Sequence, residues 1–138
     1  MTTLTDKQAQ LFLDPNFGVA ATVKEDGSPQ TSVVWVDWDG GNVVFNTMRP
    51  RAKGQHLARD PRVSISVIDR QDPYRYVEVE GTAVLDDEGA NEHINKLSHK
   101  YKDQDYPDPT GRVIVRVRPE RVFAKGVEQM IDSSSLRP

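Results

Sequence analysis

The feature that most constrains this chain is a succession of short runs with an apolar residue at every second position, joined by only a few turn-forming residues. Phe17, Val19, Ala21 and Val23 alternate with small residues up to Lys24, the two-residue period of a half-buried strand. Glu25-Asp26-Gly27-Ser28 supplies a turn, Pro29 to Trp38 the next strand, and Asp39-Gly40-Gly41-Asn42 a second hairpin turn, where glycine provides the positive φ such turns need. Val43 to Thr47 then completes a three-stranded meander. Val63 to Asp69 reads as a mostly buried strand, and Gln71-Asp72-Pro73 turns the chain into a long strand from Tyr74 to Leu85. Two short strands follow, Val113 to Arg118 and Arg121 to Lys125, interrupted by Pro119, which has no N–H to give a ladder.

Three segments break this period. Thr5 with Gln8 three residues on is a capping-box signature, so a helix is expected from Asp6 to about Leu13, ended by Asp14-Pro15. Pro50 suits a first helical turn, so Arg51 to Arg59 is expected to be helical, stopped at Asp60-Pro61. Ala90, Ile94, Leu97 and Tyr101 recur at helical spacing behind Asp86-Asp87-Glu88, where negative charge suits a helix N-terminus. The order is thus β-β-β-α-β-β-α-β with hairpin-length connections. It predicts a mainly β (α+β) fold, an antiparallel barrel of about six to seven strands with short flanking helices. No repeat or linker divides the chain, and 138 residues fit one domain, with a loose tail near its end.

Two strands carry apolar side chains on both faces. Val34, Val36 and Trp38 share one face of their strand while Val33 and Trp35 stand on the other. Val77, Val79, Ala83 and Leu85 oppose Tyr74, Tyr76, Glu78 and Glu80 in the same way. One face fills the barrel, and the other is too aromatic for plain solvent surface, which points to a ligand or a partner subunit.

Charge narrows the ligand. The formal net charge is −3, yet Arg49 to Arg62 holds five bases (Arg49, Arg51, Lys53, Arg59, Arg62) against Asp60. That window carries +4 and the remainder −7. A basic patch on an acidic body suits a discrete anion better than a long polyanion such as nucleic acid, although it also describes an ordinary solvated face. In Phe45-Asn46-Thr47-Met48-Arg49-Pro50-Arg51-Ala52-Lys53 a strand ends in a polar pair and a basic segment opens a helix. Free N–H groups there favour an anion, to which Thr47, Arg51 and Lys53 would add hydrogen bonds and charge. Phosphate is the natural occupant.

Other chemistries find no support. There is no cysteine, which removes disulfides, thiolate metal sites and a cysteine nucleophile. The three histidines lack metal-ligand spacing, and Asp103, Asp105 and Asp108 lack the glycine and closing glutamate of a calcium loop. No nucleophile elbow, Walker or dinucleotide-binding glycine pattern occurs. No apolar run approaches a membrane span, and the first residues do not read as a secretory signal, so a cytoplasmic protein is expected. Trp35, Tyr74 and Tyr76 are candidates to stack on a flat ligand.

At this point the residues resemble a known family. Phe17 to Val23 followed by Asp26-Gly27-Ser28-Pro29-Gln30 resembles the opening of the pyridoxamine-phosphate-oxidase-like split β-barrel flavoproteins. Pro50-Arg51-Ala52-Lys53 through Leu57, then Asp60-Pro61-Arg62-Val63-Ser64, is more specific. With Pro73 to Thr82 and Lys100-Tyr101 to Tyr106-Pro107, these segments resemble the actinobacterial branch that uses the deazaflavin coenzyme F-420. The similarity runs from about Leu11 to Val127. It implies an FMN-binding-like split barrel and a homodimer with two cofactor sites at its interface. It also implies that Asn46, Thr47, Arg51 and Lys53 hold the cofactor phosphate and that Ser32, Val33 and Val34 border the ring. Tyr74 and Tyr76 would come from the second subunit.

The expected reaction is hydride transfer between reduced F-420 and a small electron-poor organic acceptor, with no catalytic residue named, because the cofactor supplies the chemistry. F-420 carries several negative charges, and a patch extending to Arg59 or Arg62 would suit its tail. FMN is the alternative cofactor, and a non-catalytic carrier of flavin, deazaflavin or haem the alternative class. The C-terminal extension typical of true pyridoxamine phosphate oxidases has no counterpart here, so a different substrate is expected.

Overall fold

The computed structural model describes residues 3–127; the tail expected to be loose lies outside them. In chain order the elements are α1 (Asp6–Leu13), β1 (Phe17–Val23), β2 (Pro29–Trp35), β3 (Asp37–Trp38), β4 (Val43–Thr47), α2 (Ala52–Arg59), β5 (Arg62–Ile68), β6 (Tyr76–Asp86), α3 (Ala90–Lys102) and β7 (Val113–Lys125).

The seven strands form one sheet in the order β2-β1-β5-β6-β7-β4-β3, and all pairings are antiparallel. β2 and β3 lie at opposite ends of that order yet follow one another in the chain, with only Val36 between them. The sheet must therefore curl until its two edges nearly meet. This is the split β-barrel expected from the sequence, and its inner face holds the core. Phe12, Val36, Phe45, Ile65, Val79 and Val115 are all 0% exposed there. Burying side chains of this size contributes about 1.5–3 kcal/mol apiece.

The sheet order corrects the expected meander. Pro29 to Trp38 is not one strand, because the backbone leaves the ladder at Val36. Val36 N–H donates to the Tyr101 hydroxyl (3.0 Å), and its carbonyl accepts from Lys100 Nζ (2.5 Å). Lys100 Nζ also reaches the Phe12 carbonyl (2.5 Å), and the Tyr101 hydroxyl donates to the Asn16 carbonyl (2.6 Å). Two adjacent residues of α3 thus satisfy the peptide groups at the seam of the barrel and pin α1 to it. Burial pushes the Lys100 ammonium down to about 8 and the Tyr101 phenol up to about 12.

Pro119 does not split the last strand either. β7 runs from Val113 to Lys125, and the β6 register skips Glu120 as it passes from Glu80↔Arg121 to Gly81↔Pro119. Proline is tolerated at such a bulge. Pairing with β4 has already ended at Val117, so the missing N–H costs no second ladder. Tyr74 precedes β6 and is 79% exposed.

The helices follow the sequence closely. α1 carries the capping box, with Thr5 N–H donating to Gln8 Oε1 (2.9 Å) and Gln8 N–H to Thr5 Oγ1 (3.2 Å). α2 begins one residue later than expected: Arg51 is its N-cap, with no side-chain hydrogen bond, and Pro50 stands outside it. Its first turn lies so close to the preceding loop that a Cβ on Gly54 would run into the Met48 and Arg49 carbonyls. Among the described residues, no helix is long and apolar enough to cross a membrane.

Candidate functional site

β4 and β7 are antiparallel neighbours, and Thr47 at the end of β4 pairs with Val113 at the start of β7. That register brings the loop into α2 and the loop out of α3 to the same end of the barrel. Between them, roofed by α3 and walled by β2, lies a cavity of about 190 Å³. Val33, Val34 and Trp35 of β2 and Ile94 and Leu97 of α3 supply its apolar lining, and Asn46, Arg51, Lys53, Tyr106 and Arg112 its polar lining. A second depression of about 420 Å³ shares Arg51, Tyr106 and Arg112 and continues past Met48 and Lys102.

The cavity's electrostatics set it apart. Arg51, Lys53 and Arg112 line it, and none of them forms an ion pair with a carboxylate among the described residues. Lys53 is half-buried, and its ammonium is held below the usual lysine range by burial first, then by the positive charges of Arg51 and Arg112. Arg112 is only 7% exposed, and burial and Arg51 likewise lower its pKa. Three cations without a counter-charge in a partly desolvated pocket are mutually destabilising until an anion arrives.

The aromatic rim is equally defined. Trp35 stacks on Tyr101 with centroids 5.5 Å apart and planes 9° apart, and meets Tyr106 edge-on at 6.3 Å. The Arg112 guanidinium lies 5.2 Å from the centre of the Tyr106 ring. Trp35, Tyr106 and Arg112 therefore hold one another at the cavity mouth, where a flat ligand would meet an aromatic edge beside a positive charge.

Of the residues singled out in the sequence, Val33, Val34, Asn46, Arg51 and Lys53 line this cavity. Ser32 and Thr47 do not, although Thr47 is buried at 1% exposure and its Oγ1 has no hydrogen-bond partner among the described residues. Within the chain, Tyr74 and Tyr76 also lie outside the lining, and Tyr76 packs on Phe123 at 6.1 Å.

The basic window of the sequence divides in space. Arg49 pairs with Asp87 (2.8 Å) and Arg62 with Asp60 (2.7 Å), and neither Arg59 nor Arg62 lines the cavity. Its third cation comes instead from Arg112, in a different part of the chain. A base standing directly before a strand was the sequence signal for Arg112, but only the pairing of β4 with β7 gives that position meaning.

The family described as pyridoxamine 5'-phosphate oxidase matches residues 4–126. A pyridoxine/pyridoxamine 5'-phosphate oxidase of Bacteroides thetaiotaomicron is 27% identical over 128 residues, 91% of this chain and 60% of the relative. One of Gloeothece citriformis is 38% identical over 76 residues, 51% of this chain and 33% of the relative. The chain thus spans less than two thirds of the length of the curated relatives it matches. A solved structure named as an F-420 reductase is 33% identical, with a TM-score of 0.77, covering 86% of this chain and 98% of that one.

Proposed function

Because the chain belongs to the pyridoxamine 5'-phosphate oxidase family, we propose that it is an oxidoreductase whose cavity binds coenzyme F-420 and passes a hydride to a small electron-poor organic acceptor. The observation that carries this reading is the grouping of Arg51, Lys53 and Arg112 at one cavity with no carboxylate paired to them among the described residues. A monophosphate such as that of FMN needs fewer positive charges. A cofactor with several anionic groups fits the surplus, and the depression beyond Arg51 and Arg112 adds Lys102. The similarity to a structure named as an F-420 reductase supports the same choice.

The residues present fit such a group. Arg51 and Lys53, at the uncapped start of α2, would hold its phosphate by charge-assisted hydrogen bonds. Val33, Val34 and Trp35 would border the ring and keep water from one side of it. When bound, the deazaflavin supplies hydride chemistry, so the chain needs no acid–base pair of its own beside the ring.

The site is completed, in this reading, by a second copy of the chain. Val33, which lines the cavity, is 67% exposed, and it continues onto an outer face with Phe17 (51%) and Val19 (38%). In this reading the same surface of a second copy covers that face, and the second copy contributes Tyr74 and Tyr76 at the ring. Sedimentation at micromolar concentration should show a dimer, and a monomer alone would reject this part of the reading.

The direct test is titration of the purified chain with F-420 and FMN, followed by fluorescence quenching. F-420 should bind more tightly, and Lys53→Ala should weaken it. FMN preferred, or Lys53→Ala without effect, would overturn the assignment. Reduced F-420 should then be oxidised by members of an acceptor panel; tight binding without turnover on any acceptor would identify a carrier instead.

A further inference from the structure

Asn46 lines the cavity and is 9% exposed, yet it has no donor left to offer an anion. Its Nδ2 contacts the Ala90 carbonyl (3.0 Å) and His93 Nδ1 (3.0 Å), and its Oδ1 lies 2.8 Å from Arg112 Nε. A carbonyl oxygen only accepts and a guanidinium N–H only donates, so these two neighbours fix which way the amide faces. Both Nδ2 hydrogens are then spent, and His93 Nδ1 must be an acceptor. The His93 proton therefore sits on Nε2, which is buried and has no partner among the described residues.

An unpaired buried N–H costs stability, so this tautomer is an expensive arrangement to keep. What it secures is the Asn46 carbonyl aimed at Arg112. With Nε held, the guanidinium is fixed against the Tyr106 ring, at the junction of the two depressions. The backbone N–H of Arg112 is held as well, by Asn91 Oδ1 at 3.2 Å. Asn91 and His93 both belong to α3, so that one helix fixes Arg112 at its backbone directly and at its side chain through Asn46.

We propose that Arg112 is a further anion-binding residue of the cavity, and that Asn46, oriented by His93 and Ala90, is a positioning residue for its guanidinium rather than a ligand of the anion. This rests on the reading of the cavity as an anion site. It assigns Asn46 a different part from that of Arg51 and Lys53. It also gives His93 an effect on binding although His93 does not line the cavity.

Inorganic phosphate, titrated into the full chain and followed by NMR, is the probe. Arg112→Ala should raise the Kd for phosphate about tenfold or more, and Asn46→Leu about fivefold. The double variant should be no weaker than Arg112→Ala alone, because Asn46 acts through Arg112. Additive losses would mean that Asn46 touches the anion itself and would overturn the proposal, as would unchanged affinity in Asn46→Leu.

His93 gives a second route that does not depend on how Asn46→Leu folds. His93→Asn keeps an acceptor at the δ position and should retain the wild-type Kd, whereas His93→Leu should raise it. Equal affinity in the two variants would overturn the relay. A wild-type chain that binds phosphate, F-420 or FMN with an affinity that Arg112→Ala leaves unchanged overturns the assignment of Arg112 and leaves the cofactor reading standing. A wild-type chain that binds none of the three overturns both together.

Discussion

Two groups of cations in this protein make an instructive contrast. One group lies outside the cavity and is paired: Arg49 with Asp87, Arg62 with Asp60, Arg75 with Asp69, and Arg116 with Asp39 and Asp86. Around the cavity, Arg51, Lys53 and Arg112 face one another with no such partner among the described residues, and Arg112 is nearly buried. In the first group solvent makes pairing of little value and the charges are paired; at the cavity burial makes isolation costly and they are not. A fold selected only for stability would reverse that arrangement. In the proposed reading the cavity's charge is held for an anionic ligand.

The strongest way to break the contrast is to remove the platform that carries Arg51 and Lys53. Gly54→Val should push the first turn of α2 off the Met48–Arg49 backbone, lowering the melting temperature and abolishing cofactor binding; calorimetry and fluorescence titration would read both. Lys53→Ala should weaken F-420 binding by about 1.5–3 kcal/mol, since a charge-assisted hydrogen bond is lost. If the unpaired charge strains the empty protein, the same variant should be at least as stable as the parent, and a lower melting temperature would contradict the contrast drawn above.

A smaller effect involves pH. Burial pushes the His93 imidazole down to about 4, so between the ordinary histidine value and that point the unfolded chain binds the proton and the folded one does not. Stability should therefore fall as pH drops from about 6.5 towards 4 and then stop falling on this account. His93→Asn should flatten that slope in denaturant titrations, and an unchanged slope would place its origin elsewhere. The smallest effect is expected on the surface. Arg49→Ala should leave F-420 affinity unaltered and barely move the melting temperature, because the pair it breaks is exposed and screened. A marked loss of affinity would erase the distinction between the two groups.

Much of the fold was legible because it is written in local terms. The Thr5–Gln8 box, the alternation of β1 and the glycines in the turns at Gly27 and Gly40 each depend on neighbours a few positions away. Half of the site was legible for the same reason, since Arg51 and Lys53 follow a strand end and open a helix. The failures share a different cause. The break at Val36 depends on Lys100 and Tyr101, whose bonds to it span 64 and 65 positions. The continuity of β7 through Pro119 depends on where its pairing with β4 stops.

By itself, then, the sequence determined the helices, most of the strands, their antiparallel character and the presence of a cationic segment at a helix start. Period, turn chemistry and capping are short-range physics, and a single pass along the chain contains them. Only the tertiary structure decided which cations stand unpaired and what holds them there. Arg49 and Arg51 are two positions apart and meet opposite fates, one tied to Asp87 and the other facing the cavity. Arg112 reaches the same cavity through an amide 66 positions away. Charge pairing falls off with distance in space, not along the chain, so the closing of β4 against β7 was needed before the net charge of the sequence became a site.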